Sequence, residues 1–167
     1  MNNIVFFACN QGGHFSQMMV LKELFGKYES VLVTDNVRAT KTMEELSEIG
    51  SIEYAMSMAE KRKKMKENHS NRLYHMKYYL KLFKECRRIW RNYRPAVIIS
   101  TGSNIAVPFF VIGKIRGSKL IFIETRAKVY ERSLSGRLVR HFADQIYVQW
   151  PEMLQLYPEA KYCGTLV

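Results

Sequence analysis

A histidine stands directly behind a glycine pair, Gly12-Gly13-His14, where the apolar run Ile4-Val-Phe-Phe-Ala-Cys9 ends. Two glycines let the backbone approach a ligand closely, and a helix beginning there offers unpaired amides to an anion. An imidazole at that place can hydrogen-bond a phosphate oxygen, or accept or orient the proton of a hydroxyl. A tight strand-to-helix turn without any ligand fits the glycine pair alone equally well. The arrangement returns in Thr101-Gly102-Ser103-Asn104, which follows the run Ala96 to Ser100 and puts a glycine between small hydroxyls ahead of a helical pattern. Glu124 ends a third apolar run, Lys119 to Glu124, where a carboxylate needs solvent, a cation such as Arg126, or a substrate hydroxyl. His69, His75 and His141 have no such context and read as structural or merely exposed.

Two nucleotide motifs fail. Gln11-Gly-Gly-His-Phe-Ser16 is not GxGxxG, although Asp35 stands where a ribose-binding acid is expected in a dinucleotide fold, and no GxxxxGK[ST] loop is present. Redox and ATPase chemistry are thereby weakened. Cys9, Cys86 and Cys163 form no CxxC pair and meet no histidine at ligand spacing, so no metal site is expected and all three read as buried, reduced core residues.

Elements that can position these loops alternate along the whole chain. Ile4–Cys9 reads as a buried parallel strand, followed by a helix through Phe15, Met18, Met19, Leu21, Leu24 and Phe25 that stops at Gly26. Strands follow at Ser30–Asp35 and Ser51–Ala55, with a helix over Arg38–Ile49 between them. Ser57–Asn71 lacks apolar periodicity and reads as an exposed loop or a frayed helix start. Arg72–Tyr93 carries the longest helical pattern, in which Leu73, Met76, Leu80, Phe83, Ile89, Trp90 and Tyr93 recur at three- and four-residue steps. A strand over Ala96–Ser100, a helix over Ile105–Arg116 with Pro108 in its first turn, and the strand Lys119–Glu124 come next. A helix near Ser133–Phe142, the strand Gln145–Val148, a short helix near Pro151–Leu156 and a last strand near Lys161 complete the pattern. Strands joined by helices imply a Rossmann-like α/β fold, a parallel sheet with helices on both faces, over residues 1–167 as one domain. Ligands in such sheets bind at the carboxyl ends of the strands, where the three loops lie.

The chain of 167 residues has a formal charge of +11, and half of its Lys and Arg residues fall in the segment 61–94. Anionic partners are therefore expected. Lys61, Arg62, Lys63, Lys64 and Lys66 form a basic run, and Lys77, Lys81, Lys84, Arg87, Arg88 and Arg91 share the long helix with Tyr74, Tyr78, Tyr79 and Trp90. A basic helix with aromatics at its margin can lie on an anionic bilayer, each cation contributing about 1 kcal/mol. No nucleic-acid module is recognisable, so a membrane surface is preferred over nucleic acid as the partner. The apolar run at the start is far too short to span a bilayer and lacks the flanks of a signal peptide, which reads as a cytoplasmic protein.

Taken in order, Gly12-Gly-His14, Ser100-Thr-Gly-Ser103 with Val107-Pro108, Ile123-Glu124 with Ser133-Leu-Ser-Gly136, and Val148-Gln-Trp150 with Tyr157-Pro158 resemble the acceptor-binding subunit of two-component GT-B glycosyltransferases. That family includes bacterial capsule and exopolysaccharide glycosyltransferase enhancer proteins and the eukaryotic membrane-anchoring subunit of the dolichol-linked N-acetylglucosaminyltransferase. The resemblance implies the N-terminal half of a GT-B glycosyltransferase, with a separate partner subunit supplying the donor-binding half.

The implied reaction transfers a sugar from a UDP-sugar to a polyprenyl-diphosphate-linked sugar in capsule or exopolysaccharide repeat-unit biosynthesis. The UDP-sugar would be bound mainly by the partner, leaving no cofactor in this subunit, which would be inactive or weakly active alone. By the same resemblance Gly12, Gly13, His14, Thr101, Gly102, Ser103, Asn104 and Arg126 would bind acceptor, with His14 as candidate base and Glu124 as the alternative base or a positioning group. Gly164, Thr165, Leu166 and Val167 would face the partner. The beginning of the chain shows no anchor of the eukaryotic kind, so peripheral attachment at the inner face of the cell membrane through the basic segment, with Lys77, Lys81 and Arg88 toward the bilayer, is expected in its place. The alternative is a non-catalytic Rossmann-like protein that binds a membrane surface or nucleic acid.

Overall fold

The computed structural model describes residues 3–35, 50–55 and 72–166, and for residues 72–75 the helical backbone only. The expected helix over 38–49, the basic run Lys61, Arg62, Lys63, Lys64 and Lys66, His69, the side chains of Leu73, Tyr74 and His75, and Val167 lie outside the described residues.

Continuous apolar runs build the sheet. The strand β1 (Ile4–Cys9) is buried at every position, as a strand covered on both faces must be, and sits in the middle. With β2 (Glu29–Thr34), β3 (Ser51–Tyr54), β4 (Val97–Ser100), β5 (Lys119–Ile123), β6 (Gln145–Val148) and β7 (Lys161–Tyr162), it makes a seven-stranded sheet in the order β3-β2-β1-β4-β5-β6-β7. Every pairing is parallel, with Ala8 opposite Ser100, Ser100 opposite Phe122, and Ile123 opposite Tyr147. The strands thus all end along one edge, and the loops after β1, β4, β5 and β6 meet there.

On one face, α2 (Arg72–Tyr93), α3 (Ala106–Arg116) and α4 (Leu134–Val139) close over Phe6, Ile98, Leu120, Phe122 and Ile146. The Phe6 ring meets Phe109 edge-on at 5.6 Å and Tyr93 at 5.7 Å. Each fully buried aromatic or aliphatic side chain of this kind contributes about 1.5–3 kcal/mol. On the other face, α1 (Gly13–Met19) brings Phe15 and Met18 onto Val5, Phe7, Cys9, Leu32 and Ile99.

Three expectations are corrected. The helix expected to run from Phe15 to Phe25 ends at Met19 and continues as a separate 3-10 turn, Lys22–Leu24, which swings Phe25 under Phe7 at 4.5 Å. In α2 the buried stripe is Tyr78, Leu82, Cys86, Ile89 and Trp90, while Met76 and Leu80 face outward at 60% and 59% exposure. The steps of four and three along that stripe put Met76 and Leu80 on the opposite side, so both apolar sets satisfied the periodicity and packing chose one. Cys163, expected in the core, is exposed because β7 is a two-residue edge strand with both residues exposed.

Candidate functional site

Hydrogen bonds across the strand ends stitch the first two glycine loops together. The Ser100 hydroxyl donates to the Ala8 carbonyl at 2.7 Å, and the Asn10 amide donates to the Ser103 hydroxyl at 3.2 Å. His14 and Thr101 are paired twice: the Thr101 hydroxyl donates to the His14 carbonyl at 2.8 Å, and His14 Nδ1 lies 2.8 Å from the Thr101 carbonyl. A carbonyl only accepts, so Nδ1 carries the proton in that bond and a neutral ring presents Nε2 with a free lone pair. That is the tautomer a general base needs. The ring is half-buried at the strand-end edge.

Gly102 completes the seat of the imidazole. Its φ is +106°, and a Cβ built there would lie 3.0 Å from His14 Cε1 and 3.2 Å from Nδ1. Ser103, the next residue, also has positive φ, at 82°. Consecutive positive φ values, one of them at a non-glycine residue, cost about 1–3 kcal/mol and tend to persist where a local arrangement is functional. Gly12, with φ +84°, has open space where its Cβ would be and leaves the first loop bare to solvent. Nearby, Asn10 Oδ1 is buried and has no hydrogen-bond partner among the described residues.

Glu124 sits differently from the expected base. It is 1% exposed, and its carboxylate accepts from the Thr125 amide at 2.8 Å, the Tyr157 hydroxyl at 2.6 Å and the Ser133 amide at 3.2 Å. Gly136 packs so tightly there that a Cβ would fall 2.3 Å from Glu124 Oε2. Burial, then the hydrogen bond and charge of Glu124, raise the Tyr157 phenol well above its ordinary range, so it stays a donor. Arg132 Nε donates to the Leu156 carbonyl at 2.9 Å and stands over the Tyr157 ring. The carboxylate therefore organises the segment between β5 and α4, and its partners are Tyr157 and Ser133 rather than Arg126.

Arg126 has an exposed side chain and is placed by its backbone, whose amide donates to Gln17 Oε1 at 3.0 Å and whose carbonyl accepts from Trp150 Nε1 at 2.8 Å. The structure thus brings Gly12, Gly13, His14, Thr101, Gly102 and Ser103 into one rim, with the Arg126 backbone tied to it through Gln17. Asn104 lies half-buried behind that rim. Lys77, Lys81 and Arg88 are exposed on α2, and Gly164, Thr165 and Leu166 follow β7 as a tail without regular structure. Gln17, unnoticed in the sequence, and Gln149 and Tyr157, which entered only within the motifs Val148-Gln-Trp150 and Tyr157-Pro158, turn out to be buried at the site's base. The one available signal was a polar residue inside an apolar setting, Gln17 before Met18-Met19 and Gln149 after Val148.

Among the described residues no group of three or more His, Cys, Asp or Glu side chains is placed to hold a metal ion, and no helix is long and apolar enough to cross a membrane.

Residues 4–166 match the family model described as oligosaccharide biosynthesis protein Alg14 like. Among curated proteins, the UDP-N-acetylglucosamine transferase subunit ALG14 of Eremothecium gossypii is 35% identical over 75 residues, covering 42% of this chain and 34% of that protein. The subunit of the same name from Candida albicans is 37% identical over 82 residues, covering 46% of this chain and 37% of that protein. The matched stretches span about a third of those relatives' length. Among solved structures, MurG from Acinetobacter baumannii superposes with a TM-score of 0.69 at 11% identity, over 97% of this chain and 44% of that one. UDP-GlcNAc 2-epimerase from Methanocaldococcus jannaschii gives 0.66 at 9% identity, over 97% and 45%. The fold is that of the N-terminal half of a GT-B protein, a Rossmann-like sheet.

Proposed function

Because the chain belongs to the family of Alg14-like oligosaccharide biosynthesis proteins, we propose that it is the acceptor-side subunit of a UDP-sugar-dependent glycosyltransferase. It binds a polyprenyl-diphosphate-linked sugar at the cytoplasmic membrane face and works with a separate subunit that binds the donor. Support for a split enzyme comes from the family and its relatives, which are named as subunits of a UDP-N-acetylglucosamine transferase. The capsule or exopolysaccharide setting rests on the sequence resemblance alone.

The observation that carries this reading is His14, held through Nδ1 by the Thr101 carbonyl at 2.8 Å with Nε2 left to accept. In the assembled pair the acceptor hydroxyl gives its proton to Nε2 while its oxygen bonds to the anomeric carbon of the donor sugar. The bond from that carbon to the UDP oxygen breaks, and UDP leaves with the electron pair. Gly12, Gly13, Thr101, Gly102, Ser103 and Asn104 line the acceptor's place, with Arg126 able to meet its diphosphate. Glu124, spent on three internal donors, keeps the neighbouring loop in place rather than taking the proton. The tail residues Gly164, Thr165 and Leu166 face the partner, beside a 330 Å³ apolar groove lined by Leu21, Leu24, Ile121 and Tyr147. Lys77, Lys81 and Arg88, all exposed, meet the anionic bilayer, which makes the attachment peripheral.

Co-expression with the donor-binding subunit, and transfer from UDP-sugars to polyprenyl-diphosphate acceptor, tests the assignment. His14→Ala is expected to lower transfer by about 10²–10⁴-fold with the heteromer intact, the usual contribution of a general base. Normal transfer by the His14→Ala pair moves the base to the partner. Absence of both pairing and transfer overturns the reading as a whole.

A further inference from the structure

We propose that Gln17 and Gln149 are positioning residues, a buried amide relay through which the tail at Leu166 sets the loop that carries His14. The proposal rests on the acceptor-subunit reading for its functional meaning, but its physical content lies within this chain.

Both side chains are buried, Gln17 at 8% and Gln149 at 2% exposure. Gln17 is bonded at every available position. Its Nε2 donates to the Gly13 carbonyl at 3.0 Å and to the Thr125 hydroxyl at 3.3 Å, and its Oε1 accepts from the Arg126 amide at 3.0 Å and from Gln149 Nε2 at 2.5 Å. Gln149 Nε2 donates also to the Glu124 carbonyl at 2.9 Å, and Gln149 Oε1 accepts from the Leu166 amide at 2.8 Å. One continuous path therefore runs from the tail, through two amides, to Gly13 beside His14 and to Arg126.

The path has a direction that cannot be reversed in place. Turning the Gln149 amide over would set its oxygen against two acceptors, Gln17 Oε1 and the Glu124 carbonyl, and its NH₂ against the donor on Leu166. The Leu166 amide and the Glu124 carbonyl therefore select the Gln149 orientation together, which selects that of Gln17, which in turn holds the Gly13 and Arg126 peptides. A fully satisfied buried network of this kind has one arrangement, and losing one member leaves its neighbours unpaired in a dry site. Two isolated core glutamines satisfied locally would not link residues 132 positions apart. Leu166 is only half-buried, and the tail borders the apolar groove with Gln149 at its end. A partner that grips the tail thus acts on the same amide that orients the acceptor loop, so assembly and a competent His14 loop are coupled.

The test reads amide hydrogen exchange by NMR in the full chain, without partner or substrate. Leu166→Pro removes the donor, and Leu166→Ala removes packing while keeping it. Leu166→Pro is expected to speed exchange at the Arg126 amide about fivefold, the loss of one net hydrogen bond, whereas Leu166→Ala changes it less than twofold. In a Gln149→Met background the proline adds nothing further at Arg126. If Leu166→Pro does not fold, Gln149→Met alone is read, and exchange must rise at both Leu166 and Arg126. Exchange at Arg126 that ignores these changes overturns the relay, whatever the transfer assay shows. Coupled exchange in a chain whose pair transfers no sugar supports the relay and rejects the acceptor-subunit reading instead.

Discussion

Replacing Gly102 by alanine separates a seat for His14 from a mere tight turn. At φ +106° an alanine is strained by about 1–3 kcal/mol. Its Cβ would stand 3.0 Å from His14 Cε1 and 3.2 Å from Nδ1, so the ring must move by several tenths of an ångström. Moving it stretches the 2.8 Å bond to the Thr101 carbonyl, worth about 1 kcal/mol. Together these predict a loss of about 2–4 kcal/mol, or roughly 5–15 °C in Tm for a domain of this size. A displacement of that order in a base costs roughly 10- to 100-fold in rate. Gly113→Ala is the control, because its Cβ would press on Leu120 Cδ2 at 2.7 Å and Ile98 Cδ1 at 2.8 Å, far from His14. Overpacking there costs about 1–3 kcal/mol without touching the site. Thermal unfolding matched with transfer by the assembled pair, at a temperature where both variants stay folded, should show Gly102→Ala losing activity beyond its stability and Gly113→Ala within about twofold of wild type. Equal activity per folded molecule in the two variants refutes the seat.

Two further outcomes follow from charge and burial. Burial raises the Cys9 and Cys86 thiols and the Tyr157 phenol well above their ordinary values of 9.0 and 10.0, and pushes Tyr78 up to about 12. Above pH 9 the unfolded chain therefore holds fewer protons than the folded one, and stability present below that pH is lost as pH rises. The loss deepens with each further pH unit, so phenolate absorbance of the two buried tyrosines should appear together with loss of the helical circular dichroism signal. Their titration at ordinary values in a folded chain would contradict the burial. On anionic vesicles, replacing Lys77, Lys81 and Arg88 together by alanine should weaken binding about 100-fold at low salt, with wild-type binding falling as salt is raised. Unchanged, salt-insensitive flotation would place the membrane contact elsewhere.

Much of this molecule could be read without coordinates, for identifiable reasons. Ile4–Cys9, Val97–Ser100 and Lys119–Ile123 declare themselves because strands buried on both faces have no polar alternation to confuse them with helices. The rim of Gly12, Gly13, His14, Thr101 and Gly102 was legible because polar and glycine residues interrupt apolar runs at the strand ends. Two questions depended on distant partners. The inward turn of Glu124 is decided by Tyr157, 33 residues further on, and no local pattern reports it. Gln17 carries no motif, and Gln149 stands in Val148-Gln-Trp150 without any sign of its partners, since a glutamine looks the same on a surface as in a buried network until its neighbours are known. In α2 the rival apolar stripes through Met76-Leu80 and Tyr78-Leu82 were equally periodic, and only the surface of α3 and the sheet chose between them.

The position of β1 at the centre of the sheet has a bearing on how the chain is made. Its neighbours are β2, close behind it, and β4, whose Val97 pairs with Val5 about ninety residues later. At the usual pace of about 5–20 residues per second on a ribosome, one edge of a six-residue apolar strand waits roughly 5–20 seconds for its mate. The helices that cover Phe6 come later than most of that interval, since Phe109 belongs to α3. A nascent chain stalled before residue 100 therefore exposes an open, adhesive strand edge, and chaperone occupancy should be greatest on ribosomes paused there and drop once α3 has emerged.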